Sequence, residues 1–403
     1  MRCGLDVLAL GLILGVGIAP AAGADWPGFG GPTADGIAPD TGLNKVWAKR
    51  PPKTLWTVAL SDNGYAGPSV ADGKVFIVDH RDEKDLVRAI DFATGQDIWS
   101  FAYPDATQNK YGFTVSTPLV GSGKVYIVSR LCKVNCLDEA TGALIWSRDV
   151  LKDFAAKPTD WNWTSSPALV DGKLIVVAGG KDACMVALDA ATGKTLWQGP
   201  GSSRPGYAAP LIGTLNGKQQ IVAFVAEGLI GIDPGTGQRL WSFPWIVRFD
   251  QNAAMPIVRD NTVFITSAWD KGSAMVDVTG NQPKVVWQTK EMQSRFPSPV
   301  MCGGRIYGTR DPGKLVCLDA KTGDMLWTQA GFEFAATISA DACVFVLEGK
   351  SGDLVLLDAT TPQYKELGRI RPLGGPEAWT SPVISDGKLL IRNKKSLACI
   401  DLR

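Results

Sequence analysis

Residues 187–197 read ALDAATGKTLW, and this stretch returns along the chain. Residues 89–99 read AIDFATGQDIW, residues 136–146 CLDEATGALIW, residues 231–241 GIDPGTGQRLW and residues 317–327 CLDAKTGDMLW. A copy with two extra residues in its turn runs from Asp277 to Trp287, and another starts at Asp358 and lacks the tryptophan. The tryptophans at 99, 146, 197, 241, 287 and 327 are separated by 47, 51, 44, 46 and 40 residues. A period of about 40–50 residues with several short apolar runs in each unit is the signature of a β-propeller.

Working outward from the motif, a second shared block precedes each copy. Its clearest form is Ser166-Pro167-Ala168-Leu169-Val170-Asp171-Gly172-Lys173, followed by the apolar run Leu174 to Val177. Asp-Gly between two β-branched runs is a hairpin signal, because both turn residues take positive φ. In the motif itself, Asp189 suits a turn in which its carboxylate caps backbone N–H groups, and Gly193 supplies the left-handed residue. Trp197 then lies on an outer strand, where its ring covers a neighbouring blade and its N–H meets a backbone acceptor. Trp56, Trp99, Trp146, Trp197, Trp241, Trp287 and Trp327 are therefore read as structural docking residues.

The chain ends supply the closure. The last copy stops at Asp401-Leu402-Arg403, before its fourth strand, while Lys53-Thr54-Leu55-Trp56 repeats Lys194-Thr195-Leu196-Trp197. The predicted fold is all-β: an eight-bladed propeller of four-stranded antiparallel blades, the last closed by an N-terminal strand.

Composition narrows the class further. Apolar residues make up 45% of the 403 and the net charge is +1, which argues against disorder and gives no electrostatic reason for nucleic acid. Arg2, the apolar run Val7 to Ala19 and the small residues Ala22-Gly23-Ala24 read as a signal peptide, too short to span a bilayer. The expected organisation is a signal peptide over 1–24 and one propeller domain over 25–403, exported and soluble in the periplasm or outside the cell. Seven cysteines follow residue 24. Cys136, Cys317 and Cys399 occupy a repeat position filled elsewhere by Ala89, Ala187 and Gly231, so a small buried thiol suits them. A bridge between Cys132 and Cys136 across a hairpin stays open, and no metal-binding spacing is present.

The motif Ala-x-Asp-x-x-Thr-Gly-x-x-x-Trp resembles the docking motif of quinoprotein (PQQ) propellers. The opening Asp25-Trp26-Pro27-Gly28-Phe29-Gly30-Gly31-Pro32 resembles PQQ-like repeat proteins grouped with the outer-membrane assembly factor BamB. The dehydrogenase branch implies an adjacent cysteine pair, a calcium site and a catalytic aspartate. No Cys-Cys pair exists in the chain, and the repeated aspartates are explained by turns. The expectation is no cofactor, with PQQ kept as the alternative. The BamB branch implies a lipoprotein, and no cysteine stands at the expected mature start.

Function is sought where loops leave the repeat. If the first strand of each blade is innermost, the residue three before each Pro (or Thr337) faces one channel mouth. Those positions hold Tyr65, Val115, Thr164, Tyr207, Ala253, Phe296, Phe334 and Trp379. Trp161, Trp163, Arg204, Arg248, Asn252, Arg295, Glu333 and Glu377 lie nearby and complete the candidate binding set. Aromatics with scattered polar groups suit a pocket or a protein-binding funnel; plain packing of the ring end is the competing reading. His80, the single histidine, is read as a solvated turn residue, and no catalytic or metal-ligating set is assigned. The leading reading is a non-enzymatic binding or scaffold propeller with a protein partner in the cell envelope. A PQQ-dependent alcohol dehydrogenase and a carbohydrate-binding propeller remain alternatives, so a small molecule or glycan is the other partner class.

Overall fold

The computed structural model describes residues 24–403 apart from 62–63, 107–111, 114, 202, 281 and 376. The signal-peptide reading falls on residues 1–23, outside the described residues, with its cleavage point at their edge. Among the described residues, 32 strands form eight four-stranded antiparallel sheets, the eight-bladed propeller expected from the repeat. Seven blades are contiguous: β2–β5, β6–β9, β10–β13, β14–β17, β18–β21, β22–β25 and β26–β29. The eighth is ordered β1-β32-β31-β30, so β1 (Thr54–Ala59) supplies the outer strand beside β32 (Ser396–Asp401). Trp56 stands opposite Cys399 in that pairing.

The third blade shows how residues make the unit. β10 (Ala168–Val170), β11 (Lys173–Gly180), β12 (Ala183–Asp189) and β13 (Thr195–Gly199) run from the axis outward. Asp171 and Gly172 turn the first hairpin at φ 47° and 72°, the left-handed pair that matches strand twist. The Asp189 carboxylate accepts from the backbone N–H and the hydroxyl of Thr192, at 2.8 and 2.7 Å. The same cap forms at Asp91, Asp138 and Asp233, and these bonds hold all four carboxyls below their ordinary range. β11 and β12 are buried on both faces and β13 is mostly exposed. The core therefore lies between neighbouring blades, where stacked faces exclude water.

The docking tryptophans act across blade boundaries. Nε1 of Trp56, Trp99, Trp146, Trp197 and Trp287 donates to a carbonyl oxygen of the next blade, on Phe92, Glu139, Ala190, Pro234 and Ala320, at 3.0–3.2 Å. Each ring rests on the glycine of the next Thr-Gly turn; a Cβ at Gly142 would lie 2.5 Å from the Trp99 ring. Two tryptophans depart from the rule. Trp241 lies flat on Gly231 of its own blade and donates to Gln220 Oε1 at 2.8 Å. Trp327 is flanked by Tyr307 and Tyr364, and its Nε1 has no acceptor.

Blade seven lacks its tryptophan, and the N-terminal segment fills the gap. Gly368 stands where the repeat calls for Trp, opposite Leu356. Trp47 lies directly over it, buried, with its ring 5.9 Å from Phe345. Phe76–Trp99 and Tyr307–Trp327 make the equivalent contact within their own blades at 5.9 and 6.0 Å. Upstream, residues 26–38 cross the channel. Trp26 exchanges both backbone hydrogen bonds with Val70, Val120 donates to the Pro27 carbonyl, and Ala38 and Gly36 pair with Ser339. This crossing segment floors the channel.

Two readings are corrected. His80 is a buried residue of β3 (Lys74–Arg81), not a solvated turn residue. Strands β3 and β4 (Lys84–Asp91) are eight residues long, so the turn falls at Asp82-Glu83 and His80 pairs with Asp85 inside the ladder. Its Nδ1 lies 2.9 Å from Asp85, and its ring stacks on Phe113. The bridge left open between Cys132 and Cys136 does not form: among the described residues all seven cysteines are free thiols. Burial pushes the Cys136, Cys317 and Cys399 thiols up to about 12.

Candidate functional site

The eight positions three residues before the repeat's Pro, or Thr337 in blade seven, all line one cavity of about 480 Å³ on the propeller axis. The cavity opens at one mouth and ends on the crossing segment, where Trp26, Gly28, Phe29 and Gly30 form its floor. Neighbouring blades bring the aromatic side chains into a nearly continuous belt. Tyr65 stacks on Trp379 at 5.0 Å, and Trp379 meets Phe296 and Phe334 at 5.5 and 5.2 Å. The Arg295 guanidinium bridges Phe334 and Trp269, at 5.5 and 4.9 Å from the ring centres. Trp269 then meets Phe249, Phe249 meets Trp161, and Trp161 meets Tyr207. The belt is open at blade two, where Val115, Thr117 and Arg130 form the wall.

The remaining candidates fall into three groups. Arg204, Arg248, Glu333 and Glu377 ring the mouth: Arg204 pairs with Asp250, Arg248 lies over Phe249 and Trp269, and Glu333 pairs with Lys350. Glu377 holds Lys394 and accepts from the Tyr65 hydroxyl, and both contacts keep its carboxyl below the ordinary range. Trp163 lies in the core between blades two and three, donating to the Val177 carbonyl at 2.9 Å, and does not face the cavity. Asn252 is also internal; its amide donates to the Val225 and Trp245 carbonyls and its oxygen accepts from Ser267. It ties the blade-four connection together and does not line the cavity.

Sequence reasoning missed Arg130, Phe249 and Trp269. Phe249 and Trp269 are 41% and 38% exposed. Both aromatics sit in the left-handed region at φ 62°, an uncommon conformation for bulky residues. The signal for Trp269 was present: a tryptophan in Ala268-Trp269-Asp270-Lys271, where polar turn residues belong. Arg130 had none, since arginine at a hairpin tip is ordinary.

The cavity wall does not suit a quinone–cation pair. Its lining contains no aspartate or glutamate, and among the described residues no group of three or more His, Cys, Asp or Glu side chains comes together. Hard divalent cations need such oxygen ligands.

An all-β disc of eight blades, joined by Asp-x-x-Thr-Gly turns and docked tryptophans, defines a propeller of the PQQ-like repeat class. The chain belongs to the family described as outer membrane protein assembly factor BamB, whose model matches residues 44–121 and 83–329. It is 23% identical over 277 residues to the outer membrane protein assembly factor BamB of Shewanella oneidensis. That alignment spans 63% of this chain and 66% of the relative, just under two thirds of the relative's length. The crystal structure of BamB from Moraxella catarrhalis superposes with a TM-score of 0.64 at 18% identity, covering 87% of this chain and 99% of that one. A europium-containing methanol dehydrogenase superposes at 0.71 with 12% identity, covering 94% and 98%. At these identities the two structures speak for the fold alone.

Proposed function

We propose that this protein is a non-enzymatic scaffold of the cell envelope that holds a protein partner at its open mouth, in outer-membrane protein assembly. The reading includes export, with a signal peptide removed after Ala24 and a single propeller domain over 25–403. Membership of the BamB family supports the scaffold role, and among the described residues no helix is long and apolar enough to cross a membrane. The observation that carries it is the rim formed by Phe249 and Trp269, whose rings meet at 5.2 Å. Large apolar side chains exposed together, with Arg248 and Arg295 packed against them, have the composition of an interface anchor. Holding Phe249 and Trp269 in left-handed backbone costs about 1–3 kcal/mol each; at Trp269 the hairpin turn closed by the Lys271 N–H on the Ala268 carbonyl requires it.

Site-specific photocrosslinking in intact envelopes tests this. A crosslinking residue at Trp269 is expected to give a discrete adduct, and one at Lys173, in the hairpin at the far end of its blade, is not. Equal labelling at both positions, or none at Trp269, removes the proposal. An alcohol dehydrogenase is the weaker reading. It predicts reduction of an electron-accepting dye with alcohol, PQQ and calcium, and the acid-free cavity wall leads us to expect none.

A further inference from the structure

Blade one meets the connection to blade two over a buried polar cluster. Nδ1 of His80, on β3, lies 2.9 Å from Asp85 Oδ1, and the Tyr103 hydroxyl of β5 (Asp97–Pro104) donates to Asp85 Oδ2 at 2.8 Å. All three side chains are buried. The Phe113 ring lies flat on the imidazole, with ring centres 3.6 Å apart and planes 9° from parallel. The Phe113 carbonyl accepts from Arg130 at 3.0 Å, and a second amino group of Arg130 donates to the Trp161 carbonyl at 2.8 Å. Trp161 belongs to the aromatic belt. One line of contacts therefore runs from His80 to the mouth. Among the described residues Asp85 pairs with no lysine or arginine; its partners are an imidazole and a phenol. Other charged groups act on the pair from every side. Asp79 accepts from the His80 backbone N–H and faces Arg88, which is held by Asp97. Asp105 adds its field from the end of β5, and Arg130 stands on the side of blade two. Arg81, Asp82, Glu83 and Lys84, at the hairpin tip, are exposed to water.

We propose that this cluster is a pH-sensitive latch: proton uptake by the His80–Asp85 pair holds the Phe113 segment, and through Arg130 the Trp161 side of the mouth, in its closed arrangement. The closed and open states differ in how Asp85 is solvated. With Phe113 seated on His80 the pair is shut away from water, which disfavours the ionised carboxylate. With Phe113 lifted, water reaches the pair and solvates the charge. Burial above all, with the field of Asp105 added, pushes the Asp85 carboxyl up to about 6, against the hydrogen bonds of His80 and Tyr103. A raised folded value means that this stabilisation is complete below the ordinary carboxyl value of about 3.9 and is lost as pH rises through about 6. Any share of the proton carried by the imidazole lies on the face of Phe113, which attracts a cation. The latch therefore loosens toward neutral pH. As a regulator of the partner mouth it rests on the function proposed above; as a property of the fold it does not.

Amide hydrogen exchange of the mature protein, with no partner present, tests the latch at about pH 5 and about pH 7.5, after correction for the intrinsic pH dependence of exchange. The reporters are the Thr117 N–H, bonded to Ser166 Oγ at 2.9 Å, and the Trp163 N–H, bonded to the Arg130 carbonyl at 3.0 Å. Both are expected to be about tenfold better protected at the lower pH, the ratio for a carboxyl that moves between about 3.9 and about 6. Asp85→Asn can keep both hydrogen bonds and removes the titration, so its protection is expected to be the same at both pH values. Equal protection in the unaltered protein, better protection at the higher pH, or a ratio that survives Asp85→Asn overturns the latch. If the variant fails to fold, the pH comparison on the unaltered protein decides alone. Absence of the adduct at Trp269 would remove the partner reading and leave this ratio untouched.

Discussion

The outer ring of docking tryptophans and the aromatic belt at the mouth use the same kind of side chain for different ends. In the outer ring the tryptophan follows the same bulge in each strand, and in five blades the indole rests on the next turn's glycine and its N–H reaches the next blade's carbonyl. In the belt the rings meet each other, three of them, Phe249, Trp269 and Phe334, hold left-handed backbone, and the rim is exposed. An aromatic that solves a packing problem recurs with the repeat. One that serves a site breaks it. Substitutions should therefore separate stability from binding according to the region they touch.

The largest effect is expected from closure. Deleting residues 51–58 removes all of β1 but Ala59 and leaves β32 as an open edge; we expect aggregation and loss of a single cooperative melt, and a melt like the intact protein's would contradict the split blade. Trp47→Ala should come next, at about 3–5 kcal/mol, because it empties a buried site that blade seven cannot refill. Chemical denaturation reads this, and a change below 1 kcal/mol would show that Trp47 merely lies on the blade.

Within the outer ring, Trp99 and Trp327 make a finer contrast. Replacing Trp99 by Phe loses its bond to the Glu139 carbonyl, worth about 1 kcal/mol beyond packing. Trp327→Phe has no such bond to lose, so its cost should be the smaller in the same denaturation assay.

The smallest effect is the pH dependence of the turns. The carboxyls of Asp91, Asp138, Asp189 and Asp233 are depressed in the folded protein, mainly by threonine and backbone hydrogen bonds. A depressed folded value means that the stabilisation is complete above the unfolded pKa of about 3.9 and is lost as pH falls through the folded value. Melting temperature should drop below about pH 4, and Asp189→Asn should flatten that drop.

Much of this architecture was legible because Asp-x-x-Thr-Gly and Asp-Gly report turn chemistry that hardly varies. The inner-strand offset also led to the mouth, since Tyr65, Phe296, Phe334 and Trp379 hold one place in every unit. Arg130 and Trp269 escaped that logic because they sit on hairpins between the second and third strands, whose lengths differ from blade to blade. His80 was misread for the same reason. Trp47 and the Trp26–Gly30 floor act on blades distant in sequence, and no local pattern announces such a contact.

The most direct test pairs two readouts on one variant, Phe249→Ala/Trp269→Ala. Both side chains lie at the rim and outside the blade cores, so melting should stay close to that of the intact protein, as for exposed substitutions within about 0.5 kcal/mol. Capture of partner proteins from envelope extract should be lost. Retained capture, or a fall in stability as large as that of Trp146→Ala, would contradict the division between a scaffold ring and a binding mouth.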